Sequence, residues 1–205
     1  MNKASLKKRL LAYFIDFIIF SFVVTLISII LPVSNKQVEL NDRLIEVEEK
    51  YVDGDIKLDE YINEYKEIMP EYDKENMALN ICNLVFILGY FIVIPVINDG
   101  QTIGKRIAKI KIIKEDGILN TRDMIIRNFI TTSLLQLMLS STLVYLVNKD
   151  IYFITSIIVS LLQILLVILT TFMIIYRKDK NGVKDLITKT SVVEVEEWEN
   201  LQNKN

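Results

Sequence analysis

Four long apolar blocks constrain this chain more than any other feature of its sequence. They cover about Leu10–Leu31, Leu79–Ile97, Phe129–Val147 and Ile151–Tyr176. Because about 20 apolar residues in a helix cross the hydrocarbon core of a bilayer, each block is long enough to span a membrane. The charged residues, 24% of the chain, are concentrated between the blocks. The sequence therefore predicts an all-α, polytopic membrane protein with four transmembrane helices.

The lysine and arginine residues near the ends of the blocks predict how these helices are oriented. They cluster before the first block, between the second and third, and after the fourth. The residues are Lys3, Lys7, Lys8, Arg9, Lys105, Arg106, Lys109, Lys111, Lys114, Arg122, Arg127, Arg177, Lys178 and Lys180. Since loops rich in lysine and arginine favour the cytoplasmic side, we expect a multi-pass cell-membrane protein with both termini in the cytoplasm.

The connection between the first two blocks, residues 32–76, is strongly acidic, with fourteen acidic and six basic residues. Apolar residues recur in it close to a helical period, at Tyr61, Ile62, Tyr65, Ile68 and Met69. This pattern predicts one or two amphipathic helices. Given the expected orientation, the segment would be an acidic extracytoplasmic helical insertion.

The loop between the second and third blocks, residues 98–128, is basic and half apolar. Such a segment is suited to a membrane surface, so we expect it to lie in the cytoplasm against anionic lipid headgroups. Glu115-Asp116-Gly117 indicates a turn of the hairpin kind. Asn120 or Thr121 is expected to cap a short helix that leads into Arg127. Before the loop, Pro95 predicts a kink near the end of the second block.

Asp16 is a carboxylate inside the first apolar block. A charge there costs about 2.5–3.5 kcal/mol on insertion scales, so it needs compensation. Arg9 is one candidate, because it lies seven residues earlier, two helical turns away on nearly the same face. Ala12 is small enough to let another helix approach the carboxylate. Two interpretations stay open: Asp16 fixes the packing of neighbouring helices, or it binds a small cation or a proton.

Composition argues against several classes of function. The chain has no histidine, one cysteine (Cys82) and a net charge of −2. Without histidine a serine–histidine mechanism is excluded, and no metal-ligand cluster or cofactor fingerprint is apparent. We therefore expect no enzyme activity, no cofactor, no metal site and no nucleic-acid partner.

The segment Gly100-Gln101-Thr102-Ile103-Gly104-Lys105-Arg106 invites comparison with a phosphate loop. It has three residues between its glycines rather than four, arginine rather than serine or threonine after lysine, and no preceding strand. Nucleotide binding is rejected on these grounds. Gly100 and Gly104 are expected instead to permit a sharp exit from the second span, which would place Lys105 and Arg106 at the level of the headgroups.

Three stretches together resemble the RDD family of small bacterial membrane proteins. They are Lys8-Arg9-Leu10-Leu11-Ala12-Tyr13-Phe14-Ile15-Asp16, the segment from Gly100 to Arg106, and Gly182-Val183-Lys184-Asp185-Leu186-Ile187 through Thr190, Val192 and Val193. The family is named for one arginine and two aspartates, which by this resemblance fall on Arg9, Asp16 and Asp185. Arg127 resembles a further recurring arginine, and Gly100, Thr102, Gly104, Lys105 and Arg106 are supporting positions.

The resemblance implies one multi-span membrane domain, which we place at residues 1–197, followed by a polar tail at 198–205. It also implies a transporter, with cation/proton exchange as the more specific suggestion. Asp16 would then hold the ion or proton, Arg9 would tune it, and Asp185 would close the inner end by pairing with Arg9. Four spans make a thin wall for a pathway, so transport would require a homo-oligomer. The alternative is a non-transporting interaction or assembly protein in which the charged residues hold the helices together.

Overall fold

The computed structural model describes residues 3–115 and 117–195, and most of them are helical. The helices are α1 (Leu6–Ile30), α2 (Asn35–Val52), α3 (Leu58–Glu75), α4 (Met77–Ile87), α5 (Ile94–Ile97), α6 (Ile103–Ile107), α7 (Thr121–Thr131), α8 (Leu134–Leu146), α9 (Lys149–Tyr176) and α10 (Val183–Thr188), and the strands are β1 (Ile110–Lys114) and β2 (Thr190–Glu194). The tail predicted at 198–205 lies outside the described residues.

Three helical stretches are long and apolar enough to cross a membrane: Leu6–Ile30, Met77–Ile97 and Lys149–Tyr176. A fourth span results if Thr121–Ile130 and Leu134–Leu146, which meet at 82°, form one broken span. Side chains along these helices expose their apolar surface, as expected for lipid contact. The predicted class of helical, polytopic membrane protein is confirmed, with three or four candidate spans among the described residues and a small sheet added.

The structure corrects the prediction of one continuous helix over residues 129–147, because the helix is interrupted at Thr132. This residue is extended, with φ −120° and ψ 167°. Its hydroxyl donates to Asn128 O at 2.8 Å and accepts from Leu134 N at 3.3 Å. A threonine hydroxyl competes in this way with the helical hydrogen bonds of the backbone. A count of apolar residues does not register that competition.

The second span is irregular near its C-terminal end, over the π-helical segment Leu88–Val93. Pro95 follows it and has no N–H to offer the carbonyl four residues earlier, which is Phe91 O. That carbonyl accepts from Asn128 Nδ2 at 2.9 Å instead. The kink predicted at Pro95 stays a prediction, and the structure shows a π-helical turn just before this proline, which contains Tyr90.

The chain divides into two compact units. The first comprises residues 1–25, 85–134 and 162–205, and the second comprises residues 26–84 and 135–161.

In the first unit, β1 pairs antiparallel with β2, from Ile110 opposite Glu194 to Lys114 opposite Thr190. The hairpin predicted at residues 115–117 is wrong, because β1 finds its partner about 80 residues later. Only Ile118 and Leu119 separate Gly117 from Asn120, whose side chain already caps α7 by accepting from Asp123 N at 3.0 Å. No length remains there for a second strand.

In the second unit, α2 and α3 pack against each other, which confirms the prediction of amphipathic helices in the acidic segment. Leu40 and Val47 of α2 and Ile68 of α3 form their buried core. Ser34 caps α2 by accepting from Gln37 N at 3.0 Å. The exposed positions of both helices carry many acidic side chains, and also apolar ones such as Val38 and Ile45.

Candidate functional site

Asp16 is buried in the first unit, with 3% of its surface exposed. Its Oδ1 accepts from Tyr90 OH at 2.6 Å and from Gly104 N at 2.8 Å. Its Oδ2 accepts from Thr102 Oγ1 at 2.6 Å and lies 3.9 Å from Lys105 Nζ. An ionised carboxylate has about four lone-pair sites, and three donors occupy most of them. Asp16 thereby joins α1 to the second span and to α6.

A close backbone approach makes this contact possible. A Cβ added at Gly104 would lie 2.3 Å from Ala12 O and 2.6 Å from Asp16 Oδ1, so only glycine fits between α6 and α1. Thr102 precedes α6 and caps it by accepting from Lys105 N at 3.3 Å. Its hydroxyl still donates to the carboxylate. The small Ala12 does admit a helix, as predicted, but that helix is the short α6.

The side chain of Lys105 is directed toward Thr102 and Asp16, and its expected position at the level of the headgroups stays a prediction. Its ammonium donates to Thr102 Oγ1 at 3.2 Å and faces Asp16, and its side chain is 19% exposed. Desolvation lowers the pKa of Lys105 to about 8, although Asp16 opposes this shift. Burial thus disfavours the charged form of Lys105, which lies beside the Asp16 carboxylate.

Arg9 does not compensate Asp16, and in this the sequence prediction was wrong. Its guanidinium donates instead to Asp185 Oδ2 at 3.1 Å, to Lys180 O at 2.9 Å and to Ala4 O at 3.2 Å. The predicted pairing of Arg9 with Asp185 is confirmed. The reason is geometric. Donors of the second span and of the segment at α6 bind Asp16, whereas Lys180 and Asp185, which follow α9, lie next to Arg9.

Asp185 is a further buried carboxylate, with 1% of its surface exposed. Besides Arg9 it binds Arg127 NH1, which lies 2.7 Å from its Oδ1. Its Oδ2 also accepts from Gly182 N at 2.9 Å, which caps α10. Arg127 donates further to Thr190 Oγ1 at the start of β2. Asp185 therefore joins α10 to α1 and α7, and the arginine signalled by the family resemblance belongs to the same group.

The charges around Asp185 favour its ionised form. Burial alone would raise the pKa of this carboxyl, but Arg127 and Arg9 outweigh burial and hold it at about 2. Lys184, the preceding residue, and the Gly182 N–H act in the same direction. Asp185 is thus a permanent anion at neutral pH, bound by two arginines.

Of the remaining predicted positions, Gly100 has φ +79°, and a Cβ there would lie 2.0 Å from Ile112 O. It permits the turn after the second span, as expected. Arg106 is exposed on α6. Tyr90 is the functional-site residue that the sequence analysis missed, since a tyrosine within an apolar block carries no positional signal of its contact.

A comparison with protein-family models matches residues 3–189 to the model described as the RDD family. The match takes in Arg9, Asp16, Arg127 and Asp185 together with the segment from Gly100 to Arg106. Searches of curated proteins and of solved structures found no match.

Proposed function

The chain belongs to the RDD family, a family of membrane proteins, and we propose that it is a non-transporting membrane protein that recruits or assembles a partner. On this proposal the RDD residues have a structural role. Asp16 and Asp185 hold the short helices α6 and α10 against α1. The partner would bind elsewhere on the protein.

One observation carries the proposal: three donors from the second span and from the segment at α6 already bind the buried Asp16 carboxylate. Tyr90, Thr102 and Gly104 each donate to it within 2.8 Å. A cation on a transport path would have to displace these donors, which burial makes costly because they would lose their partner without meeting water. A carboxylate so fully bound is better suited to holding helices together than to loading and releasing an ion.

The acidic pair α2–α3 supports the second half of the proposal. Residues 32–76 carry fourteen acidic and six basic side chains, so the pair has a negative field that attracts a basic partner. Its own core of Leu40, Val47 and Ile68 allows it to present that charge on an ordered surface.

The proposal is tested by flux measurement in liposomes. The purified protein is reconstituted, a pH gradient is imposed, and proton flux is followed with an internal pH dye while the external cation is varied. We expect flux no greater than in empty liposomes. Asp16→Asn is compared with Asp99→Asn, a carboxylate whose side chain is 83% exposed and pairs with Lys111. Cation-dependent flux that disappears in Asp16→Asn and persists in Asp99→Asn would contradict the proposal.

A second experiment, carried out in cells, tests recruitment. A photo-crosslinking residue at Glu64, which is exposed on α3, should give a discrete protein adduct. The same probe at Lys178, exposed after α9, should not. Equal adducts at both positions, or none at Glu64, would remove the support for α2–α3 as the binding surface.

Cation/proton exchange is the second candidate function, and a specific observation favours it. Lys105, whose pKa burial lowers to about 8, lies 3.9 Å from Asp16, so a proton acceptor near neutrality adjoins a carboxylate within a candidate span. In this case Asp16→Asn and Lys105→Met should both abolish flux in the liposome assay.

The proposal also includes a location in the cell membrane with both termini in the cytoplasm, contact of the 98–128 loop with anionic lipid, and no catalytic activity. Basic residues flanking the candidate spans support the orientation. A homo-oligomer belongs to the transport alternative alone, because a thin bundle would need a second copy to enclose a path.

A further inference from the structure

Four cationic side chains meet in the first unit around two carboxylates. They come from four helices: Arg9 from α1, Lys105 from α6, Arg127 from α7 and Lys184 from α10. Asp185 and Asp16 are the anions that face them. The cluster therefore holds two more positive than negative charges when all six groups are ionised.

Three of these cations have a partner in the protein. Arg9 and Arg127 bind Asp185, and Lys105 faces Asp16 while donating to Thr102. Lys184 differs from them. Its ammonium makes no hydrogen bond and no ion pair with any residue between 3 and 115 or between 117 and 195.

The surroundings of Lys184 make this arrangement unfavourable. The side chain is partly buried. Arg127, Lys105 and Arg9 repel its positive charge, and Asp185, the next residue, attracts it. Desolvation is the largest cause that lowers the pKa of Lys184 to about 7, and Arg127 is the next. A cation in this position becomes stable when an anion joins it.

The apolar side chains beside the lysines indicate where that anion comes from. On α10, Leu186 and Ile187 follow Lys184 and are 41% and 58% exposed. On α6, Ile103 and Ile107 flank Lys105 and are 48% and 59% exposed. Exposed apolar residues next to lysines are typical of helices that lie at a membrane surface, where phosphate groups are the principal anions.

We propose that Lys184 is the centre of a binding site for an anionic phosphate ester, supplied either by a lipid headgroup or by a free phosphorylated solute. Lys184 donates hydrogen bonds to the phosphate oxygens, and Lys105 and Arg127 contribute the positive potential. Because Asp185 and Asp16 retain their present partners, the site forms on the fold as it stands. This inference does not depend on whether the protein transports or recruits.

The test measures binding to the purified protein in two arms. In the first, native mass spectrometry counts phosphatidylglycerol retained in competition with phosphatidylcholine. In the second, calorimetry follows inorganic phosphate and glycerol phosphate added to protein in phosphatidylcholine nanodiscs. Retention in the first arm alone identifies a lipid headgroup, and binding in the second identifies a soluble ligand.

Three variants decide whether Lys184 is responsible. Lys184→Gln should weaken binding about tenfold or more, the usual effect of removing a charge-assisted hydrogen bond. Lys184→Arg keeps the charge and should keep most of the binding, which shows that the fold persists. Lys178→Gln removes an equal charge from an exposed position six residues earlier and should leave binding unchanged. Equal losses in Lys184→Gln and Lys178→Gln, or no binding by the parent protein in either arm, would overturn the proposal.

Discussion

Replacing Asp185 by asparagine should destabilise the protein more than almost any other change outside the apolar helices. Asparagine keeps the size of the side chain and one oxygen that can accept from Gly182 N, so the cap of α10 survives. The substitution removes the charge that binds Arg127 at 2.7 Å and Arg9 at 3.1 Å. Removing one partner of a buried ion pair costs about 3–5 kcal/mol, because the other charge stays buried without compensation. Two arginines are left here, which places the expected loss toward the upper end.

The loss is measured as the change in free energy of unfolding in mixed detergent micelles, followed by circular dichroism. Asp179→Asn is the matched control. Asp179 binds Arg177 at 2.7 Å, as Asp185 binds Arg127, but the side chains of Asp179 and Arg177 are each more than 40% exposed. Solvent screens such a pair, so this control should lose only a small fraction of the stability lost by Asp185→Asn.

A variant that removes the whole charged group tests the reasoning itself. Asp185→Asn combined with Arg9→Met and Arg127→Met removes both arginines together with the carboxylate that binds them. Its loss should be well below the sum of the three single losses, since desolvation of the arginines is relieved as the attraction disappears. A loss below about 1 kcal/mol for Asp185→Asn, or strict additivity in the triple variant, would refute the account of Asp185 as the anion that holds these arginines.

Two further predictions concern the same unit. Gly104→Ala should lower the free energy of unfolding by about 1–3 kcal/mol, because its Cβ would collide with Ala12 O and Asp16 Oδ1. Gly89→Ala is the control, since a Cβ there meets nothing within 4 Å. An equal fall in the thermal unfolding temperature of both variants would contradict this prediction. Asp185 should make stability depend on pH: its pKa is about 2 in the folded protein against 3.8 unperturbed, so its contribution is complete above pH 4 and is lost as the pH falls toward 2. The difference in stability between the parent and Asp185→Asn should therefore shrink over that range in an acid titration, and a constant difference would exclude the assigned role.

The sequence predicted the parts of the fold that the membrane dictates. A bilayer core demands about 20 apolar residues per helix, and it restricts where charges can lie, so span positions follow from composition along the chain. The pairing of Arg9 with Asp185 was predictable for a related reason. Arg9 precedes the first apolar block and Asp185 follows the last one, so both were expected on the same side of the membrane.

The contacts that were missed depend on distances across the fold. Thr102 and Gly104 reach Asp16 from more than 80 residues away, and no local pattern encodes which carboxylate a capping threonine will meet. β1 likewise pairs with β2 rather than with a neighbouring segment. Thr132 interrupts a run of apolar residues through two hydrogen bonds of its own hydroxyl, an effect that hydropathy does not measure.

The buried carboxylates of Asp16 and Asp185 have different surroundings, and the difference bears on what each can do. Asp185 binds two arginines, whose charge does not change at any physiological pH, so it has no means of exchanging a proton under those conditions. Asp16 binds two hydroxyls and one backbone N–H, and its nearest cation is Lys105 at 3.9 Å. If the protein moves protons, Asp16 rather than Asp185 is therefore the carboxylate placed for the exchange, with Lys105 beside it. If it does not, the same hydroxyl groups serve only to hold α6 against α1, and the liposome assay with Asp16→Asn distinguishes these two outcomes.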